Sequence, residues 1–367
     1  MSFSSRMLPP LRFLFAIGSA LAADAEPCWE ATDLKGDPLF FVLGSADGYA
    51  KATLLRIPQE TPIIRSASGE IAYEAGRDFM WQQGSREIRL LAGSRIPFKT
   101  TAELHPAPGA PNAYKASVDG RSWLLYSQGH FFHDLQCAAY YRARDDWVPP
   151  RVEPALESHL SRVRARLRAK GALTMVVLGD SISTGLNASI TSAVAPRQEG
   201  YVGLVAQGLE RRFGSRIKVR NLSISGKSSP WGLEQVQAVI AESPDLFLCA
   251  FGMNDASRRR PAGAFMDTIR EIVGRIRSAC PQCDLIIVTP MTANPEWSGA
   301  APELYPAYAD AMVKLGAPGV AVADVTTIWR GILARKGVLD LTGNGLNHPN
   351  DFGHRIYADV ILETIGR

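Results

Sequence analysis

From Leu173 onward the chain alternates short, apolar, β-rich runs with longer amphipathic stretches, a pattern that few folds accommodate. The apolar runs are Leu173–Leu178, Ile217–Ile224, Leu246–Phe251, Leu285–Thr289 and Gly319–Val325. Between and after them lie Tyr201–Phe213, Ala264–Ser278 and Glu303–Leu315, with apolar residues at helical spacing. A mostly apolar run suits a strand covered on both faces, and the intervening helices supply the cover. Residues 171–367 are therefore expected to form an α/β domain around a parallel sheet. Ligands of such sheets sit beyond the carboxyl ends of the strands.

Polar residues gather at those ends. The first run leads into Gly179-Asp180-Ser181-Ile182-Ser183, the second ends in Ser223-Ile224-Ser225-Gly226, and the third ends in Gly252-Met253-Asn254-Asp255. Near the C-terminus stands Asn347-His348-Pro349-Asn350, before a final helix. Serine hydrolysis needs a nucleophile, a base and donors aimed at the developing oxyanion. Ser181 supplies the first and His348 the second. The N–H groups of Ser181 and Gly226 and the amide of Asn254 supply the donors.

These blocks, in this order, resemble the SGNH, or GDSL-type, esterase family over residues 171–367. The resemblance implies a three-layer α/β/α, flavodoxin-like hydrolase domain with no metal and no cofactor. It makes Ser181 the nucleophile, His348 the general base, and Ser181, Gly226 and Asn254 the oxyanion hole. One block departs from the pattern. The family usually carries Asp three residues before the histidine, where this chain has Gly345, and the nearest preceding acid is Asp340. An imidazole must be held in the right tautomer, so Asp340 completes a triad, or Asn344 or a backbone carbonyl takes that place. His354 is expected to pack or cap, and Asp180 and Asp255 to tie loops through backbone N–H groups. The run Arg258-Arg259-Arg260 is expected to be a solvated face.

Residues 26–148 read differently. Short strand-like runs at Pro38–Leu43, Lys51–Ile57, Glu87–Leu91, Trp123–Tyr126 and Cys137–Tyr141 are separated by Gly, Pro, Asn and Asp turns. That spacing predicts an all-β, sandwich- or jelly-roll-like N-terminal domain. Residues 151–170 read as a connecting helix with Leu156, Leu160, Val163 and Leu167 on one face. Of the five cysteines, Cys28 and Cys137 would bracket the first domain if bridged, and Cys280 and Cys283 would close a tight loop. Cys249 reads as a buried thiol.

Arg6 and Arg12 precede an apolar run, Phe13–Ala23, which ends in small residues. Residues 1–22 thus read as a signal peptide, and the run is too short for a membrane span. The chain is expected to be secreted or periplasmic, with no integral membrane segment after processing. Its net charge of +4 over 367 residues gives no reason to expect a nucleic-acid partner. The expected partner is a small-molecule or polysaccharide ester. Two-domain bacterial carbohydrate acetyl esterases share this layout, which points to O-acetyl groups on a glycan. A lipase, lysophospholipase, thioesterase or O-acetyltransferase would use the same residues, and a glycan-binding protein with an inactive hydrolase half is the alternative outside catalysis.

Overall fold

The computed structural model describes residues 26–44, 48–145 and 147–366. The expected signal peptide lies outside the described residues.

In the first half, β1 (Asp33–Phe40) pairs antiparallel with β11 (Gln136–Arg142), which pairs with β4 (Ile63–Ser66), and that with β5 (Ala72–Tyr73). A second sheet runs in the order β6 (Phe79–Trp81), β7 (Glu87–Leu90), β3 (Ala50–Thr53), β2 (Val42–Leu43), β8 (Lys99–Thr100). A hairpin joins β9 (Ala113–Tyr114) to β10 (Leu124–Leu125). The region is strand-rich but not all-β. Helical turns at Thr101–Leu104 and Phe131–Leu135 interrupt it. The first is nucleated by a capping box: Glu103 N–H donates to Thr100 Oγ1 at 3.1 Å, and Thr100 N–H donates to Glu103 Oε2 at 2.7 Å.

The connecting helix is shorter than its periodicity suggested. Residues 151–156 are not helical; a 3₁₀ turn spans Glu157–His159 and an α-helix spans Ser161–Arg168. Pro154 lacks the N–H that a continuing helix needs. Of the expected apolar face, Leu160, Val163 and Leu167 are buried, whereas Leu156 is 66% exposed.

In the second half, β12 (Leu173–Gly179), β13 (Ile217–Asn221), β14 (Leu246–Ala250), β15 (Asp284–Val288) and β16 (Val320–Ala323) form a parallel sheet in the order β13-β12-β14-β15-β16. This is the flavodoxin-like order, with its switch point between the carboxyl ends of β12 and β14. All five residues of β15 and four of five in β14 are buried, as sheet covered on both faces requires. Each fully buried Leu, Ile, Val or Phe there stabilises by about 1.5–3 kcal/mol. Helix Tyr201–Phe213 packs on the final helix Asp351–Ile365, and helix Ala262–Ala279 packs on Ser229–Glu234 and Leu304–Val313.

The two halves share one core and several buried polar contacts. Lys336 Nζ, on the second half, donates to the carbonyls of Pro38 and Thr53 and lies 3.0 Å from Asp37 Oδ1. Gln136 Nε2 donates to Leu339 O and Thr342 O, and Asn350 Nδ2 donates to Gln136 Oε1.

No bridge joins the cysteines: all five carry free thiols. Cys137 stands opposite Leu39, near the end of β1, whereas Cys28 precedes the start of that strand, where its N–H donates to Asp359 Oδ2. A strand rises about 3.3 Å per residue, so the length of β1 keeps the pair apart. Cys280 and Cys283 close their turn through a Cys283 N–H to Cys280 O bond of 2.9 Å instead. Cys249 is buried on β14, as expected.

Candidate active site

Strand β12 delivers its last residue, Gly179, into a crowded turn, where a Cβ would come within 2.6 Å of Ala250 O. Glycine therefore lets the chain turn against β14, and Ser181 follows at the switch point. Its Oγ lies 2.9 Å from His348 Nε2. Serine and histidine are 5% and 6% exposed, so the pair works in a largely dehydrated setting. Burial, aided by the nearby His354, pushes the His348 imidazole down from 6.5 to about 4. The ring is thus neutral at pH 7 and free to accept a proton.

Asp340 does not reach His348. Its Oδ1 accepts from Phe40 N–H at 2.7 Å and its Oδ2 from Gly337 N–H at 2.9 Å, with Lys336 Nζ 3.7 Å away. Oδ1 thus reaches across to the first half, and Oδ2 holds the local turn that begins at Gly337. His348 Nδ1 instead meets Asn187 Oδ1 at 2.9 Å and Asn344 Nδ2 at 3.1 Å. Asn187 was not singled out in the sequence. Its one local sign is its place after Gly185, in a turn where it takes a φ of 63°, a conformation that Asn tolerates better than most residues. Gly345 explains the missing acid: its φ is 82°, and a Cβ there would come 2.5 Å from Phe132 Cζ and 2.8 Å from Leu125 O.

The remaining blocks converge around Asp180 and Gly226. Asp180 Oδ1 accepts from Ile182 N–H at 2.9 Å, while burial and the charge of Asp255 raise its carboxyl to about 7. Asn254 Nδ2 donates to Lys227 O at 2.9 Å and to Asp180 Oδ2 at 3.3 Å. Both amide hydrogens are therefore engaged, so Asn254 is not the free donor that the sequence suggested. Among the described residues the N–H groups of Ser181 and Gly226 donate to nothing. Asp255 accepts from Ser229 N–H and Oγ and pins the turn behind them.

Arg258 and Arg259 are exposed, as expected of a solvated face, and Arg260 is half-buried, yet each guanidinium has partners. Arg258 Nη2 donates to Gly226 O at 2.9 Å and its Nη1 to Ser228 Oγ. Arg259 reaches Glu303 and Ser298 O, and Arg260 reaches Ala264 O and Thr268. His354 is fully buried between Tyr201 N–H, which its Nδ1 accepts, and Leu186 O. It is a packing residue. No cluster of metal-ligating side chains occurs among the described residues, and no helix among them is long and apolar enough to cross a membrane.

The second half is similar to known proteins. Residues 177–356 match the GDSL-like Lipase/Acylhydrolase family. The chain is 31% identical over 113 residues to thioesterase 1/protease 1/lysophospholipase L1 of Escherichia coli, covering 30% of this chain and 49% of that protein. It is 29% identical over 140 residues to esterase TesA of Pseudomonas aeruginosa, covering 38% and 66%. The match thus spans about half the length of the first of these curated relatives. Among solved structures, an acetylxylan esterase from Geobacillus stearothermophilus is similar at 21% identity and a TM-score of 0.44, over 54% of this chain and 96% of that one. A two-domain esterase active on acetylated mannans is similar at 23% identity and a TM-score of 0.46, over 58% and 53%. By this match, and by a serine and histidine 2.9 Å apart at the switch point of a parallel sheet, residues 177–356 belong to the GDSL-like lipase/acylhydrolase family.

Proposed function

We propose that the protein is a secreted or periplasmic serine ester hydrolase that removes O-acetyl groups from a carbohydrate. The observation that carries the chemistry is the 2.9 Å contact between Ser181 Oγ and His348 Nε2. Ser181 Oγ attacks the ester carbonyl while His348 Nε2 takes its proton. The N–H groups of Ser181 and Gly226 receive the oxyanion. His348 then protonates the departing alcohol, an acyl-enzyme remains on Ser181, and water releases the acid by the same route. The family supports ester chemistry. A sugar as the alcohol part of the ester is supported by an aromatic pair at the hairpin beside the histidine loop. The rings of Tyr114 and Tyr126 lie 4.9 Å apart, Tyr114 is 41% exposed, and Tyr126 is three residues from Gly129, which bonds Asn187. Export rests on Arg6, Arg12 and the run Phe13–Ala23.

The E. coli relative is named a thioesterase and lysophospholipase, which gives a second reading with longer acyl groups. Initial rates on p-nitrophenyl esters of increasing acyl length, and on acetylated xylan and mannan, separate the two. The expected result is fastest turnover of acetyl esters, lost by at least about 10³-fold in Ser181→Ala. Faster turnover of octanoyl than acetyl esters would favour the second reading. Full activity in Ser181→Ala would overturn both.

A further inference from the structure

The imidazole of His348 is contested by two asparagines. Nδ1 lies 2.9 Å from Asn187 Oδ1 and 3.1 Å from Asn344 Nδ2. A ring nitrogen either carries a proton or offers a lone pair. It therefore donates to Asn187 or accepts from Asn344, but not both. Neither amide is free to turn and oblige. Asn187 Nδ2 donates to Gly129 O and Gly343 O, each at 3.0 Å. Asn344 Oδ1 accepts the N–H groups of Leu346, Asn347 and His348 at 2.9, 3.0 and 3.2 Å, and its Nδ2 also donates to Asn347 Oδ1. Turning Asn187 would set its oxygen against two carbonyls, and turning Asn344 would set its NH₂ against three N–H groups.

We propose that Asn187 is the positioning residue for His348: its oxygen selects the Nδ1–H tautomer that leaves Nε2 open to the Ser181 proton, against an opposing pull from Asn344. The inference rests on the serine-hydrolase reading. It also gives the first half of the chain a part in the chemistry, because Gly129 O shares with Gly343 O the task of fixing which end of the Asn187 amide faces the histidine. An amide suits this place better than a carboxylate. Asp at 187 would lose both donations and put an oxygen about 3 Å from the Gly129 and Gly343 carbonyls. With Asn187 removed, Asn344 is the neighbour left at Nδ1. Its N–H selects the Nε2–H tautomer, which cannot take a proton from Ser181.

The test uses the full chain and three readouts. Steady-state turnover of p-nitrophenyl acetate is measured for the unaltered protein, Ser181→Ala, Asn187→Ala and the double variant Asn187→Ala/Asn344→Asp. In the double variant one carboxylate oxygen keeps the three backbone N–H groups and the other offers His348 Nδ1 an acceptor. Thermal melts confirm that each variant is folded. Nitrogen-15 NMR of labelled histidine, with His348→Asn to assign the resonance, reads the tautomer directly. Asn187→Ala is expected to lower kcat about 10²- to 10⁴-fold with little change in KM. It also moves His348 to the Nε2–H form, and the double variant recovers at least about tenfold in kcat. Unaltered kcat in Asn187→Ala, an Nε2–H tautomer in the unaltered protein, or loss without any tautomer change would overturn the proposal. If the unaltered protein turns over no ester, the hydrolase reading fails while the NMR measurement still decides the tautomer.

Discussion

His348 shows how one residue's surroundings set its chemistry. In water an imidazole is half protonated near 6.5; here burial moves that point down to about 4. A general base works only in its neutral form, so the depressed value extends activity toward acid. The sign is fixed: protonation removes the base, hence kcat/KM should hold as pH falls through 6 and drop only near 4. A pH–rate profile with its acid limb near 6.5 would show that the buried site is wetter than the geometry indicates. Among neighbouring residues, Ser181 and His348 were legible because their chemistry is carried by residue type and by position at strand ends. Asn187 was not, since nothing in Gly185-Leu186-Asn187 distinguishes a clamp from an ordinary turn. Only the carbonyls of Gly129 and Gly343, far away in sequence, give that amide its direction.

At the scale of elements, the helical turn Val338–Leu341 and strand β1 are joined by Asp340. Its two oxygens accept Phe40 N–H and Gly337 N–H, with Lys336 beside them. Asp340→Asn turns one acceptor into a donor facing an N–H and weakens the pairing of buried Lys336. It should cost about 1–3 kcal/mol in urea unfolding while leaving kcat on p-nitrophenyl acetate within about a factor of three. A collapse in kcat without loss of stability would return Asp340 to the catalytic group. The apolar runs located β12, β14, β15 and β16 to within a few residues because double-sided burial leaves a local trace, whereas the edge strand β13 is exposed at four of its five residues. The first half was read less completely. Strands β4, β5 and β6 are short and half-exposed, and the turn at Phe131–Leu135 gains its stability from packing Phe132 against Phe40 and Gly345, which no local pattern announces.

For the whole molecule, the two halves form one mechanical unit. Lys336 is fully buried, and its near partners Asp37, Pro38 O and Thr53 O belong to the first half. Leaving a buried charge without its partner costs about 3–5 kcal/mol, a large part of the roughly 5–15 kcal/mol that holds a typical domain together. Residues 151–367 produced alone should therefore melt without a sharp transition and turn over p-nitrophenyl acetate at least about 10²-fold more slowly, because Lys336 loses its first-half partners and Asn187 keeps only one of its two carbonyls. Activity equal to the full chain would show that the second half is self-sufficient.

The order of residues was enough to mark the class of fold in the second half and to single out Ser181 and His348, which the fold brings within 2.9 Å. Strand burial, turn glycines and reactive side chains are properties of short stretches. What holds His348, where Asp340 works, and that Cys28 and Cys137 lie at different ends of β1 came from tertiary contacts. Those outcomes depend on which groups meet across tens to hundreds of residues, and on Phe132 and the Leu125 carbonyl filling the space beside Gly345 that an aspartate would need. A local pattern carries no record of such neighbours.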